Sequence, residues 1–443
     1  MSPTAMGRVP VVVAAAGADW EARALDALER GAPAVVLARR CVDLPDVLAT
    51  AATGLASVAV VSPGLPGLDA DSVQSLHRAG VTVLAVARAE DLLDGDARRL
   101  RRLGIAHLLA ASDLEELAAA VVAAASTAVS AGTSETTSTK AAPERKAGGR
   151  GRTIAVWGPT GAPGRTTVAV GLASEIAGAG HETLLLDVDP YGGSVAQHLG
   201  VLDEASGLLG AARAANAGQL DRDRLEATAR QVSERFRVLT GLPRADRWPE
   251  VRPAAFADLL DEAVRLVEYL VLDTGFSLEG GPVDPFGGTT PQRNQMTLTA
   301  LETADDVVVV GSADPVGLAR LARGLVEIRD VVPNVRPRVV VNRTRPSLGW
   351  SDREVRAMVE GFVTPLDVHF LPDDRGAADR ALMSGHSLTE EGESPLRTAV
   401  AEMVEAVLGE PLSRAVRGRL LRRTSRRSVT IAGRTDSGSE RWR

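Results

Sequence analysis

The feature that most constrains this chain is an alternation that runs along most of its 443 residues. Short β-branched runs are followed by longer stretches with apolar residues at helical spacing, first on one side of a polar stretch, Ser126 to Arg152, and then again on the other. A strand followed by a helix returns to a parallel neighbour only by crossing over the sheet, so this grammar predicts doubly wound α/β architecture. Before the polar stretch the expected strands are Val9 to Ala15, Ala34 to Leu37, Val58 to Val61, Val81 to Val86 and Ile105 to Leu109. After it they are Thr153 to Val156, Thr183 to Leu186, Arg237 to Thr240, Tyr269 to Leu272, Val307 to Val310, Arg338 to Val341 and Val368 to Leu371. The continuous apolar character of this second set predicts a mostly parallel sheet covered on both faces. Leu202 to Arg235, rich in Ala, Leu, Glu and Arg, reads as a helical excursion. The expected organisation is a small doubly wound α/β unit over 1–125, a Ser/Thr/Gly-rich linker over 126–152, a larger α/β unit over 153–410 and a basic tail over 411–443.

Composition narrows the function classes. The lone Cys41 excludes an intramolecular disulfide, and the six scattered histidines offer no metal-ligand spacing. No run of about 18 uncharged apolar residues is present, and the N-terminal apolar run is too short for a signal peptide, so a cytoplasmic protein is expected. The net charge is −7, but from Ser413 onward ten arginines face only Asp436 and Glu440, a net of +8 that leaves −15 elsewhere. The only lysines are Lys140 and Lys146, both in the polar stretch. Chemistry that needs a cation in a folded unit must therefore use arginine.

The first unit carries Leu65-Pro66-Gly67-Leu68-Asp69 after its third strand, and its order and length resemble the receiver domain of response regulators. That family's chemistry is missing. The phosphoacceptor position falls at Ser62, the acidic pair within Ala14 to Ala16 and the lysine near Ala110. Phosphotransfer needs a carboxylate nucleophile and acidic Mg²⁺ ligands, so this unit is expected to be a pseudo-receiver that works by contact.

In the second unit, Gly158-Pro159-Thr160-Gly161-Ala162-Pro163-Gly164-Arg165-Thr166-Thr167 joins a strand to a helix. Main-chain N–H groups and a helix N-terminus there can hold an anion, and Thr166 can hold Mg²⁺. Taken alone, the string is equally readable as a structural Gly/Pro turn. It keeps company with Asp187-Val188-Asp189-Pro190, Asp273-Thr274-Gly275, Asn342-Arg343 and Pro372-Asp373, each closing a predicted strand. Carboxylates at strand ends beside a Gly-rich turn converge on the crevice where α/β sheets bind ligands.

This ordered series resembles the ATPases of the MinD/ParA family over roughly Thr153 to Leu408, and the domain order resembles the CpaE/TadZ branch. The resemblance implies a P-loop NTPase fold that takes ATP and Mg²⁺. It implies that Gly161, Gly164, Arg165, Thr166 and Thr167 surround the phosphates, with Thr166, Asp187 and Asp273 serving the metal. Asp189 would organise the attacking water, with Arg165 as its catalytic companion, while Asn342, Pro372 and Asp373 would hold the base. It further implies a nucleotide-gated homodimer that docks a protein of a pilus or secretion, septum or chromosome-partition machinery. The departures are specific. The family's signature lysine falls at Thr160, its second glycine is Ala162, Pro163 removes an N–H, and the planar Arg165 replaces a compact lysine. Hydrolysis is accordingly expected to be slow or absent, and a pseudo-ATPase scaffold acting only by protein contacts is the alternative. The tail places Leu412, Val416 and Leu420 among arginines, which suits an anionic membrane surface or DNA, or a merely solvated segment.

Overall fold

The computed structural model describes residues 8–31, 33–93, 96–132, 150–201, 205–281, 292–333 and 335–412. The tail from Ser413 onward, with the expectations placed on it, lies outside the described residues.

Two sheets form. The first contains β1 (Val9–Ala14), β2 (Val35–Arg40), β3 (Val58–Val61), β4 (Thr82–Ala87) and β5 (His107–Ala110), all parallel, in the order β2-β1-β3-β4-β5. That is the order of flavodoxin-like sheets. Because successive side chains point to opposite faces, Val11 and Val13 enter one core and Val12 and Ala14 the other. Ser62, at the end of β3, accepts a hydrogen bond from the Gly64 N–H through its hydroxyl.

The second sheet contains β6 (Arg152–Trp157), β7 (Thr183–Val188), β8 (Arg230–Ser233), β9 (Phe236–Leu239), β10 (Tyr269–Thr274), β11 (Asp306–Ser312), β12 (Arg338–Thr344) and β13 (Asp367–Pro372). The order is β13-β12-β11-β6-β10-β7-β9-β8, parallel except for β8. At the centre, Ile154, Ala155 and Val156 of β6 and Leu270, Val271 and Leu272 of β10 are fully buried, as the apolar runs predicted. The strand order turns around at β6, which places the crevice at its C-terminal end.

Two expectations need correction. Leu202 to Arg235 is not wholly helical: after the helices Gly207–Asn216 and Arg222–Thr228, Arg230–Ser233 pairs antiparallel with β9. This polar strand shows no apolar run because it is a sheet edge, where charged and polar side chains are favoured. The helix Leu117–Gly132 also continues past Ala125 into the stretch read as linker.

The two units touch along helices. The Asp71 carboxylate accepts a hydrogen bond from the Ala254 N–H at 3.0 Å, at the start of the helix Pro253–Leu266, and Asp69 pairs with Arg252. Arg99 donates to the Ala217 carbonyl at 2.9 Å, and Gly218, at φ +65°, admits the Arg99 and Leu103 side chains where a Cβ would collide. Within the second unit, Glu175 of the helix Arg165–Gly178 is buried against Arg397 at 2.8 Å and accepts from Thr389 at 2.9 Å. These bonds fix the helix that the Gly-rich turn opens.

Candidate nucleotide site

The turn after β6 is shaped by glycine where the chain demands it. Gly161 (φ +74°) and Gly164 (φ +87°) are left-handed, and Gly164 is the residue from which the helix Arg165–Gly178 starts. The first N–H groups of that helix face the crevice, a ready site for an anion.

Around the turn the structure gathers one half of the expected residues. The Thr166 hydroxyl donates to Asp273 Oδ2 at 2.7 Å and accepts from the Ser194 hydroxyl at 3.2 Å. Parallel pairing sets Asp273 directly opposite Asp187, and both are 1% exposed. Asp187 is held by the chain itself: Oδ1 accepts from the Asp189 N–H at 3.3 Å and Oδ2 from the Val195 N–H at 3.1 Å. Gly193 and Gly241 close so tightly on its carboxylate that neither could carry a Cβ. Asp187 therefore pins the loop Asp189–Val195 over the site. Asp189 Oδ1 accepts from the Tyr191 N–H at 2.8 Å while Oδ2 stands 3.9 Å from Arg165. The Arg165 guanidinium also donates to the Gly158 carbonyl of its own turn at 3.2 Å.

The electrostatics follow from this crowding. Burial, reinforced by Asp273, pushes Asp187 well above the usual carboxylate range. Burial pushes Asp273 up to about 7, against the pull of the Thr166 hydrogen bond and Arg165 and with the push of Asp189. Asp273 Oδ1 is buried with no hydrogen-bond partner. An orphaned carboxylate oxygen beside a hydroxyl, where acidic groups resist ionising, fits a Mg²⁺ ion or one of its waters. Among the described residues no cluster of three His, Cys, Asp or Glu could form a metal cage. Mg²⁺ beside a phosphate chain needs no such cage, taking one or two protein oxygens and completing its shell with phosphate and water.

The other half of the expected residues surrounds a cavity of about 390 Å³, lined by Gly164, Thr167, Asn342, Pro372 and Asp373. Asn342, at the end of β12, donates to the Pro163 carbonyl at 2.9 Å and accepts from the Arg343 N–H at 2.8 Å. Arg343 has φ +60°, a strained value that turns the chain over this cavity. Asp373 hydrogen-bonds through its N–H to Thr344 at 3.0 Å, and its carboxylate lies between Arg345 and Arg375 at 3.7 and 3.6 Å. The expected residues thus form two adjoining groups that meet at Gly164.

Sequence reasoning did not single out Ser194, Gly193 or Gly241, nor Arg320, whose guanidinium packs on Gly161. Ser194 lies four residues beyond the Asp187-to-Pro190 string and could have been found by reading on along the chain. Gly241 and Arg320 reach the site only through the fold.

No protein-family model matches the sequence, and no curated protein matches it. Solved structures similar in shape include a ParA family ATPase from Chlorobium tepidum, at 18% identity and TM-score 0.47 over 57% of this chain and 98% of that one. The septum site-determining protein MinD from Pyrococcus horikoshii, complexed with Mg-ADP, is 16% identical with TM-score 0.45 over 58% and 95%. A chain of the MinC:MinD cell division protein complex from Aquifex aeolicus is 16% identical with TM-score 0.44 over 59% of this chain and 98% of that one. Likeness at this level transfers no activity, and the chemistry stands on the site's own residues.

Proposed function

We propose that this chain is a MinD/ParA-like, ATP-gated switch that dimerises and localises a partner, with slow or absent hydrolysis. The observation that carries the reading is the Thr166–Asp273 contact at 2.7 Å at the mouth of a left-handed glycine turn, with Asp273 Oδ1 buried and unpartnered. In this reading Thr166 and Asp273 hold Mg²⁺, directly or through its water, and Asp187 keeps the overlying loop in place. The ion supplies charge neutralisation for the phosphates. Arg165 leaves the Gly158 carbonyl for the phosphates, Asp189 orients water, and Asn342, Pro372 and Asp373 enclose the base. Pro163 has no N–H to give, and phosphoryl transfer depends almost wholly on positioning and charge, so binding outlasts turnover. The five-stranded unit serves as a pseudo-receiver that presents surfaces and takes no phosphate, since Ser62 stands at the acceptor position. A protein of a pilus, secretion, septum or partition machinery is the expected partner. Among the described residues no helix is long and apolar enough to cross a membrane. Peripheral contact with anionic lipid or DNA would fall to the tail.

Calorimetric titration of Mg·ATP into the wild type and Arg165→Ala, with light scattering on the same samples, tests the reading. Binding that the variant loses, with a rise in mass on binding, is expected. A second reading, a scaffold that binds no nucleotide, is favoured by the engagement of Arg165 with Gly158 and Asp189. It predicts no thermal shift with Mg·ATP, where an active site at a hundredfold excess over Kd gains about 2.7 kcal/mol.

A further inference from the structure

We propose that Arg320 is a second phosphate-binding cation of the Gly158–Thr167 turn, brought in by a different helix to supply the charge that a lysine at Thr160 would carry. This rests on the nucleotide reading above. The helix Pro315–Val331 is fixed at its start, where Asp314 accepts from the Gly317 N–H at 2.9 Å, and Leu321 packs closely on Gly311. Further along, Gly324 lies on the buried Pro159 and Trp157; a Cβ there would sit 3.1 Å from each. An added side chain there would press on both, so glycine eases the close approach of the helix to the turn. Arg320 is four residues before Gly324, on the same helix face, and so arrives over the next part of the turn. Its guanidinium rests against Gly161, filling the space a Cβ would need.

Arg320 is also electrostatically free. Arg152 pairs with Asp306, Arg338 with Asp306 and Asp367, and Arg345 with Asp373, whereas Arg320 has no carboxylate partner among the described residues. An exposed, uncompensated guanidinium on a glycine turn matches a phosphate, which it can contact through a two-pronged fork. Asn342 meets the turn at Gly164 and Arg320 meets it at Gly161, so the two side chains serve the base and the phosphates separately.

The test compares wild type, Arg320→Ala, Arg320→Lys, Asn342→Ala and Arg165→Ala by calorimetry, with Mg·ATP and with inorganic tripolyphosphate as probes. Circular dichroism melting checks that each variant is folded. Arg320→Ala is expected to weaken both probes about ten- to hundredfold, the loss of one charge-assisted hydrogen bond, with Arg320→Lys recovering part of it. Asn342→Ala should weaken ATP alone. If wild type binds and Arg165→Ala does not, but a folded Arg320→Ala binds both probes as wild type does, the role of Arg320 is overturned while the nucleotide reading stands. Absence of binding by wild type overturns both.

Discussion

The contact between the two units carries a pH dependence whose size follows from its geometry. Asp258, on the helix Pro253–Leu266, is pushed up to about 6 by burial, then by Asp261 and by Asp71 across the contact, against the pull of Arg102 and Arg265. Asp71 is raised by its own burial, with one carboxylate oxygen on the Ala254 N–H and the other unpartnered. A carboxyl whose folded pKa lies above its unfolded value favours folding below the unfolded value and loses that contribution as pH rises through the folded one. From 3.8 to about 6, Asp258 alone is worth about 3 kcal/mol over the full window and about 1.4 kcal/mol between about pH 5 and about pH 7.5. His77, pulled down by burial, acts in the opposite sense over the same range, so the wild-type profile alone mixes the two. Asp258→Asn removes one titration and leaves the other. Urea unfolding of both proteins at the two pH values is the assay. The advantage of the variant should be about 1.4 kcal/mol greater near pH 7.5 than near pH 5. Equal differences at both pH values would refute the argument that burial at this contact, with Asp261 and Asp71 beside it, raises Asp258.

Three further outcomes are expected. Arg397→Ala leaves Glu175 buried without its guanidinium partner and should cost about 3–5 kcal/mol in chemical denaturation, far more than an exposed pair such as Arg244 with Asp246. Gly164→Ala forces a side chain to φ +87° and into the Asn342 amide; about 1–2 kcal/mol of stability should be lost to the backbone alone, and Mg·ATP affinity should fall with it. Asp187→Ala frees the Asp189 and Val195 N–H groups and opens space beside Gly193 and Gly241. Limited proteolysis should then cut the Asp189–Val195 loop, whereas Asp273→Asn should leave it protected and abolish the Mg²⁺ dependence of ATP binding.

The parallel strands were legible because a strand buried on both faces can use only apolar residues, and such runs stand out wherever Val and Leu recur between helix signals. β8 was illegible for the converse reason: Arg230-Gln231-Val232-Ser233 has only Val232 to turn toward the core, and its pairing with β9 is what makes it a strand. In the site, Asp187, Asp189, Asp273 and Asn342 could be picked out because each follows an apolar run, where a fold of this class collects its functional groups, and Thr166 because it follows a Gly-rich turn at the start of a helix. What the string of residues could not show is which oxygen does what. Asp187 and Asp273 end neighbouring strands in the same register, yet one has both oxygens taken by backbone N–H groups and the other keeps an oxygen unpartnered. The donors are the Asp189 and Val195 N–H groups of the loop after β7, and Gly193 and Gly241, on separate loops, leave the room for that loop to close on Asp187.

The same reasoning explains how a chain without lysine in its folded units can still present positive charge to a phosphate. In the proposed reading Arg165 serves where a phosphate loop carries lysine, but its guanidinium is partly committed, 3.2 Å from the Gly158 carbonyl and 3.9 Å from Asp189. The first is a single neutral-acceptor hydrogen bond and the second lies at the limit of an ion pair, so a phosphate that offers charge-assisted bonds outcompetes both. Release of Arg165 would also remove the cation that lowers Asp273, leaving that carboxyl to be satisfied by a metal ion in its place. Nucleotide and Mg²⁺ should therefore bind with positive coupling: each removes a cost that the other would meet alone. Arg320, bound to no carboxylate among the described residues, has none to release, and in the proposed role its charge is available to the first phosphate that reaches the turn.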